Sequence, residues 1–373
     1  MPKSARTTKR RRSVPYASGY RPPTVAQSER AIGGAGAACL QPDSAFFQPV
    51  PRPSSTADWL AQYREEGQSF SEFERQSPWL GRRKVKGMVG PFNADGPDLP
   101  SRYPGKSICI LPIGPFPDSS TRLEHLQQFA EAFFCAPVLL LPAVELEVAK
   151  QKVTLHFSEE HSVAGLRVGQ RRYGVHSRHH PPSGRYQLQA TSVLKVLQSI
   201  HIEPAVCTIA VTMLDLYVDP EDLFVAGWAA GNARVACFSF FRYDPLMTFS
   251  TEEWHDVRWL EGRGDPAPPS LLLQRCCKLL VHEVAHLLGV DHCVFYRCCM
   301  NGSGHLEEDF AQPMHMCPVD LHKLQLLCGF DVCQRYRSLL SFYQQHQLVD
   351  EAEWVDRRLR SLEKKTSTAC VHS

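Results

Sequence analysis

The feature that most constrains the fold is the run His-Glu-Val-Ala-His-Leu-Leu-Gly-Val-Asp-His at residues 282–292. Residues four apart lie on one face of an α-helix, so His282 and His286 project toward a common point. Gly289 tolerates a positive φ, which lets the chain leave the helix sharply and bring His292 back to that point. Three protein ligands leave a fourth tetrahedral position open for water, which is typical of a catalytic zinc site. The motif therefore predicts a helix, a sharp turn and a metal centre.

Glu283 stands next to His282 but is rotated from it by about 100° around the helix axis. It can reach a water at the metal without binding the metal itself, so the pattern predicts a general base. Two ordinary core histidines would not explain this carboxylate, because a buried carboxylate without a partner is costly. The helix is predicted over 270–288, with Ser270 as its N-cap after a Pro-rich stretch. Its apolar positions are Leu271, Leu272, Leu279, Leu280, Val284, Leu287 and Leu288.

A second group of metal-binding residues follows the motif, with Cys293, Cys298 and Met300 in close succession and Cys317-Pro-Val-Asp320 further along. Taken with the histidines, this pattern resembles the archaemetzincins, a branch of the metzincin zinc peptidases. The resemblance is clearest over 270–336 and fainter upstream.

The resemblance implies roles for the residues of the histidine motif. His282, His286 and His292 would hold the catalytic zinc, and Glu283 would be the general base. It also implies that Met300 is the methionine of the turn beneath the metal. Without the family pattern, Met300 reads as an ordinary core methionine. If His292 were not the third ligand, His305 or His315 would be next in line.

In that family a second, closed zinc site uses four cysteines, and this sequence departs from the pattern at Asp320. An aspartate oxygen can bind zinc. However, Pro318 predicts a helix that begins near Cys317, and a carboxylate in its first turn is favoured by the helix dipole without any metal. We expect a second zinc at Cys293, Cys298 and Cys317, weaker than a four-cysteine site because thiolate is the softer donor. The fourth ligand stays open, with alternatives at Asp320, Cys299, Cys328 and Cys333.

Composition is consistent with a soluble intracellular enzyme of 373 residues, 43% hydrophobic, with a net charge of +2. That charge predicts no general attraction to nucleic acid or to acidic membranes. No apolar signal-peptide core is seen at the start and no apolar run is long enough to span a bilayer, so the 14 cysteines are expected to be reduced. We expect a monomer in the cytoplasm or nucleus. The basic cluster at 9–12 is also consistent with a nuclear-import signal, an RNA-binding tail, a mitochondrial transit peptide or a plain solvated tail.

Composition along the chain predicts three parts. They are a disordered basic and Pro/Gly/Ser-rich tail at 1–56, a metzincin-like peptidase domain at 57–345 and a fraying C-terminal tail at 346–373. Within the domain, 57–289 forms an upper α/β part that ends with the active-site helix. Residues 290–345 form a smaller Cys-rich and helical lower part.

Strands and helices alternate ahead of the active-site helix, which predicts an α/β fold with a mixed twisted sheet. Strands are predicted at 107–114, 137–145 and 205–213, helices at 122–134 and 187–200, and a hairpin from 224–228 to 235–241. We expect a surface loop at 153–184. The strand at 235–241 is a candidate edge strand that could pair with a peptide substrate, and an ordinary core strand is the alternative.

The expected function is hydrolysis of a peptide or protein substrate at a single catalytic zinc. The family resemblance further implies aminopeptidase-like activity on short peptides. Glu307, Glu308 and Asp309 are acids that could hold a substrate α-amine, although a solvated acidic turn is the favoured interpretation. The alternatives are a catalytically idle zinc-binding interaction protein and, with less support, a nucleic-acid-associated protein.

Overall fold

The computed structural model describes residues 14–15, 20–34, 37–117, 121–149, 152–168, 171–180, 185–245 and 270–371. The strands are β1 (Val14–Pro15), β2 (Tyr63–Arg64), β3 (Ser107–Ile113), β4 (Val138–Leu140), β5 (Glu145–Ala149), β6 (Lys152–His156), β7 (Leu166–Arg167), β8 (Arg172–Val175), β9 (Ser177–His180), β10 (Arg185–Gln189), β11 (His201–Ile202), β12 (Ala205–Thr212), β13 (Asp215–Tyr217), β14 (Gly227–Ala230) and β15 (Val235–Ser239).

The helices are α1 (Val25–Ala31), α2 (Trp59–Gln62), α3 (Phe70–Gln76), α4 (Leu99–Arg102), α5 (Leu123–Phe134), α6 (Glu159–Val163), α7 (Ala190–Ser199), α8 (Ser270–Leu287), α9 (Leu306–Phe310), α10 (Pro318–Cys328), α11 (Val332–Gln345) and α12 (Val349–Val371). Within the described ranges, no helix combines the length and the apolar character that a membrane span requires.

A mixed sheet of five strands in the order β14-β15-β12-β3-β4 forms the centre of the protein. All pairs are parallel except β14 with β15. Every residue of β12 is buried, which agrees with its nearly continuous apolar sequence. One sheet face contributes Ile209 and Val211 to the core that contains α5 and α8, and the other contributes Ala210 to the core that contains α7. The predicted α/β fold with a mixed sheet is confirmed.

The predicted hairpin is present, but its strands are not arranged as expected. The strand at 235–241 was the candidate edge, whereas β15 lies between β12 and β14, so β14 forms the edge of the sheet. β14 is a short Gly-Trp-Ala-Ala segment that begins three residues later than the strand predicted at 224–228. Gly227 is required there, because a Cβ at this position would lie 1.8 Å from the ring of Phe238.

The prediction of a surface loop at 153–184 is wrong for the described part of that range. β6 pairs with β5 and β8, and β9 pairs with β10. Val153, Leu155 and Val175 are buried, and this apolar alternation was hidden among Arg and His residues. The helix predicted at 187–200 is shorter, since its first residues belong to β10.

The N-terminal tail was predicted to be disordered through residue 56, yet the structure places 20–34 and 37–56 against the folded domain. α1 begins with a reciprocal capping box between Thr24 and Gln27. Leu40 and Phe47 are buried in the core, and the backbone N of Arg297 donates to the O of Gln48 at 2.8 Å. Sparse apolar residues dock on a preformed surface here, a long-range effect that local composition does not reveal. The basic cluster at 9–12 lies outside the described residues.

The C-terminal tail was expected to fray, but α12 packs against α11 and buries one face. Val355, Leu359 and Leu362 are buried, and the Trp354 ring stacks on His315 with centroids 3.9 Å apart. The guanidinium of the fully buried Arg358 donates to the O of Cys39 at 3.0 Å. The helix therefore joins the N-terminal segment to the core.

We expect Leu359→Ala to lower the free energy of unfolding by about 2–5 kcal/mol, because it removes a buried side chain and leaves a cavity. Urea unfolding followed by circular dichroism measures the change. Glu353→Ala on the exposed face of the same helix is the control and should stay within about 0.5 kcal/mol of the unmodified protein. Equal effects of the two substitutions would contradict the packed position of α12.

Candidate metal centres

The three motif histidines converge at the C-terminal end of α8. Their ring centroids lie 4.6, 4.8 and 5.5 Å apart, and the candidate ligand atoms all lie within 4.8 Å of one another. Nε2 of His282 is 3.0 Å from Nε2 of His286. Tetrahedral zinc with bonds of about 2.0–2.1 Å places two nitrogens about 3.3 Å apart. The spacing of the rings therefore fits a zinc ion.

Hydrogen bonds at the far edge of each ring fix how the histidines are oriented. Nδ1 of His282 lies 2.6 Å from the O of Cys299, and Nδ1 of His286 lies 2.7 Å from the O of Val290. A carbonyl oxygen only accepts, so each Nδ1 carries a proton and each neutral ring keeps its Nε2 lone pair for a metal. Two lone pairs aimed at each other repel unless a cation lies between them, which is a second reason that the site fits a metal.

The chain leaves α8 through a Schellman turn centred on Gly289, whose φ is +92°. The backbone N of Gly289 donates to the O of His286, and that of Val290 donates to the O of Ala285. The carbonyl of Val290 then accepts from the His286 ring, so the turn both redirects the chain and orients a ligand. Gly289 thus has the positive φ that the motif predicts.

The third histidine is held by a residue that the sequence motif does not contain. Nδ1 of His292 lies 2.9 Å from Oε1 of Glu65, which is 227 positions away in the chain. The Trp59 ring lies edge-on to His292 with centroids 5.2 Å apart, and Tyr63 packs on Trp59 at 4.2 Å. The far-edge nitrogens of His282 and His286 meet carbonyl oxygens, whereas that of His292 meets a carboxylate.

Glu283 is half-buried on α8, beside His282. Burial raises the pKa of the Tyr243 hydroxyl well above its ordinary value, and the nearby charges of Asp309 and Glu283 add to that effect. Glu283 therefore lies near Tyr243, and it is absent from the group of candidate ligands.

Met300 is fully buried in a tight turn at 298–301. Its O accepts from the backbone N of Cys293 at 2.7 Å. Asn301 closes the turn, since its Oδ1 accepts from the N of Cys298 at 2.8 Å and its Nδ2 donates to the O of Cys293 at 2.9 Å. The carbonyl of Cys299 in the same turn holds His282. Asn301 was not anticipated from the sequence.

Cys293, Cys298, Cys317 and Asp320 form a second group whose ligand atoms lie within 4.8 Å of one another, and all four are buried. The Sγ atoms of Cys293 and Cys317 are 3.5 Å apart, too far for a disulfide of about 2.05 Å. Zinc–sulfur bonds of about 2.3 Å in a tetrahedron give a sulfur spacing of about 3.8 Å. Burial raises the pKa of the Cys298 thiol to about 12, so this site binds a thiol proton tightly unless a metal replaces it.

The position of Asp320 bears on the fourth ligand that the sequence left open. Its Oδ2 lies 3.3 Å from Sγ of Cys298 and 3.4 Å from Sγ of Cys317. α10 begins with Cys317 as N-cap and Pro318 at its first turn, as predicted, but Cys317 makes no side-chain capping bond. Asp320 therefore sits in the first turn and also points into the cysteine group.

The other residues considered from the sequence lie elsewhere. Oε2 of Glu308 accepts from the backbone N of Trp59 at 2.8 Å and of Gly304 at 2.6 Å. Asp309 is buried, whereas Glu307 is exposed. Residues outside both groups of candidate ligands are His305, which pairs with Asp58, His315, which stacks on Trp354, and the thiols Cys299, Cys328 and Cys333.

Gly289→Ala should lower zinc content at the histidine centre, because a residue with a Cβ resists the φ of +92° that redirects the chain. Space is not the obstacle, since the nearest atom to that Cβ would be 3.7 Å away. Gly231→Ala, at a position with nothing within 4 Å, is the matched control. Zinc content by plasma mass spectrometry should fall in the first variant and not in the second. Full zinc content in Gly289→Ala would contradict the role of the turn.

Glu65→Gln should weaken zinc binding by about 10–100-fold, the usual effect of losing a carboxylate that orients a ligating histidine. His292→Ala should weaken it further, because two protein ligands seldom suffice. Competition with a chromogenic chelator measures both affinities, and the exposed Glu74→Gln is the control. Unchanged affinity in Glu65→Gln would show that the Glu65 contact does not orient His292.

Comparison with known proteins gives a consistent relationship, although no family model matches the chain. Archaemetzincin-2 of Homo sapiens is 29% identical over 320 residues, which cover 81% of this chain and 76% of the relative. Archaemetzincin-2 of Mus musculus is 28% identical over 321 residues, with the same shares covered. Archaemetzincin-1 of Homo sapiens is 31% identical over 302 residues, which cover 77% of this chain and 52% of the relative.

Two solved structures are also similar. The archaemetzincin of Archaeoglobus fulgidus, in complex with malonate, has a TM-score of 0.37 and 22% identity, and the match covers 58% of this chain and 99% of that one. The archaemetzincin of Methanopyrus kandleri has a TM-score of 0.38 and 20% identity, with 60% and 95% covered. The sequence relationship extends well beyond the histidine and cysteine motifs, and the chain is a homologue of the archaemetzincins.

Proposed function

We propose that this protein is a zinc metallopeptidase that hydrolyses peptide bonds with Glu283 as the general base. The observation that carries the proposal is the convergence of Nε2 of His282 and His286 with His292, each ring held at its far edge by an acceptor. The archaemetzincin relatives support zinc and a metallopeptidase-like function. Three protein donors leave room for water and substrate, as a catalytic site requires.

When bound, zinc supplies a water of lowered pKa and a Lewis acid that polarises the substrate carbonyl. His282, His286 and His292 would hold it through Nε2. The Glu283 carboxylate accepts a proton from the attacking water and delivers it to the leaving amine nitrogen, so that its charge is restored at the end of the turnover. Glu65 keeps the His292 ring fixed while these protons move.

We propose further that cleavage is aminopeptidase-like, as the family resemblance implies. Such an enzyme needs a group that holds the substrate α-amine. Glu308 is engaged by the backbone N of Trp59 and Gly304, and Asp309 is buried beside Tyr243. Of the three acids that the sequence suggested, Glu307 is the one exposed to solvent, and we propose it as the group that holds the α-amine.

We also propose one zinc at the histidine centre and a second at Cys293, Cys298, Cys317 and Asp320. The second group is fully buried and presents four donors without an open approach, which is typical of a structural site. Metal bound there would contribute to folding, because the donors are brought together only in the folded chain.

Glu283→Gln should retain the catalytic zinc and lower turnover by about two or more orders of magnitude, because the amide cannot accept the proton. Peptide libraries with free and acetylated N-termini, analysed by mass spectrometry, measure cleavage, and plasma mass spectrometry measures zinc. The exposed Glu131→Gln is the control. Preference for free N-termini supports the aminopeptidase-like specificity.

Two outcomes would overturn this proposal. Loss of zinc in Glu283→Gln would mean that Glu283 is a ligand and not the base. A zinc-loaded wild-type protein that cleaves no peptide would favour the alternative of an idle zinc-binding interaction protein.

A further inference from the structure

The aspartate in the cysteine group has two oxygens that face different partners. Oδ2 of Asp320 lies 3.3 Å from Sγ of Cys298 and 3.4 Å from Sγ of Cys317. Oδ1 accepts from Nζ of Lys323 at 2.7 Å. The side chains of Asp320 and Lys323 are 0% and 1% exposed, so this ion pair is inaccessible to water.

A buried ion pair needs an explanation, because taking two charges out of water costs several kcal/mol per ion. Replacing such a pair by apolar side chains often leaves a protein equally stable. The ion pair here adjoins three thiols. Three thiolates and one carboxylate that bind zinc would carry four negative charges, whereas the zinc ion carries two positive charges. An additional positive charge beside the group offsets part of that excess.

The carboxylate geometry shows why a lysine is needed beside an aspartate ligand. A thiolate presents one donor atom, whereas a carboxylate that binds metal through one oxygen leaves its second oxygen to be satisfied. In a site closed to water, that oxygen requires a protein donor. Lys323 lies three residues after Asp320 on α10, which places both side chains on one face of the helix. Its ammonium therefore satisfies Oδ1 and holds Oδ2 toward the cysteines.

We propose that Lys323 is a positioning residue that makes Asp320 a one-oxygen metal ligand, so that the two residues together replace the fourth cysteine. This inference rests on the second zinc site proposed above. It changes the expectation for Asp320→Cys, which from donor softness alone should bind metal more tightly. The substitution would leave the Lys323 ammonium buried without its carboxylate, so the gain should appear only when Lys323 is replaced as well.

Cobalt(II) titration of the full-length, metal-free protein tests the proposal, because thiolate-to-cobalt absorption reports the cysteine group and not the histidine centre. The variants are Lys323→Met, Asp320→Cys and the double variant Asp320→Cys/Lys323→Met. We expect Lys323→Met to weaken cobalt binding at this site by about 10–100-fold, as for other residues that orient a ligand. The double variant should bind at least as tightly as wild type, and Asp320→Cys alone should bind less tightly than the double variant.

Lys278→Met is the matched control, since Lys278 is also buried on a helix but donates to the carbonyl oxygens of Asp309 and Gln312. It should leave the cobalt absorption unchanged. If Lys323→Met fails to fold, the comparison of Asp320→Cys with the double variant still decides. The positioning role would be overturned if the changes in cobalt affinity caused by Asp320→Cys and Lys323→Met simply added in the double variant. Wild-type cobalt affinity in Lys323→Met would also overturn it. Absence of thiolate-to-cobalt absorption in the wild type would instead overturn the second metal site, while zinc at the histidines would be unaffected.

Discussion

The short segment from Gly289 to Asn301 belongs to both candidate metal centres, and the rest of the site depends on its conformation. It supplies His292 to one group and the adjacent Cys293 to the other. A second link of this kind involves Cys298, which belongs to the cysteine group. The carbonyl of the next residue, Cys299, orients the ring of His282 in the histidine group. A metal bound by the cysteines would therefore fix the backbone on which two of the candidate histidine ligands rely. Under our proposal, the closed cysteine site would thus help to set the geometry of the open histidine site.

The N-terminal part of the domain completes the histidine centre from outside the motif. Glu65 orients His292, and Nε2 of Gln68 donates to the O of Gly289 at 3.1 Å, at the turn itself. Trp79 adds a bond from its indole nitrogen to the O of Leu287 at 3.2 Å, at the end of α8. These contacts satisfy the carbonyls that the end of a helix leaves without partners. Helix α8 thus ends among residues that lie 208–227 positions earlier in the chain.

The local part of this arrangement could be predicted from the sequence. Helical periodicity located α8 at Ser270–Leu287 against the expected 270–288, and the positive φ of Gly289 followed from the motif. Strand β12 was evident from its apolar run. The partner Glu65 could not be found this way, because neither periodicity nor spacing encodes which distant side chain meets a histidine. Lys323 lies three residues after Asp320 on one helix, so its spacing permits the contact, but the sequence alone does not show that the pair is buried beside the cysteines. The docking of residues 20–56 was missed for the same reason, since its few apolar residues gain stability only from a surface formed elsewhere.

The central claim is that one zinc ion is bound by Nε2 of His282, His286 and His292. A crystal structure of the purified protein, with anomalous data collected above and below the zinc absorption edge, tests it most directly. The account predicts an anomalous peak about 2.0–2.1 Å from all three Nε2 atoms, with the Glu283 carboxylate outside bonding distance. A peak bound through Glu283, or no peak at the histidines of a zinc-replete protein, would contradict it.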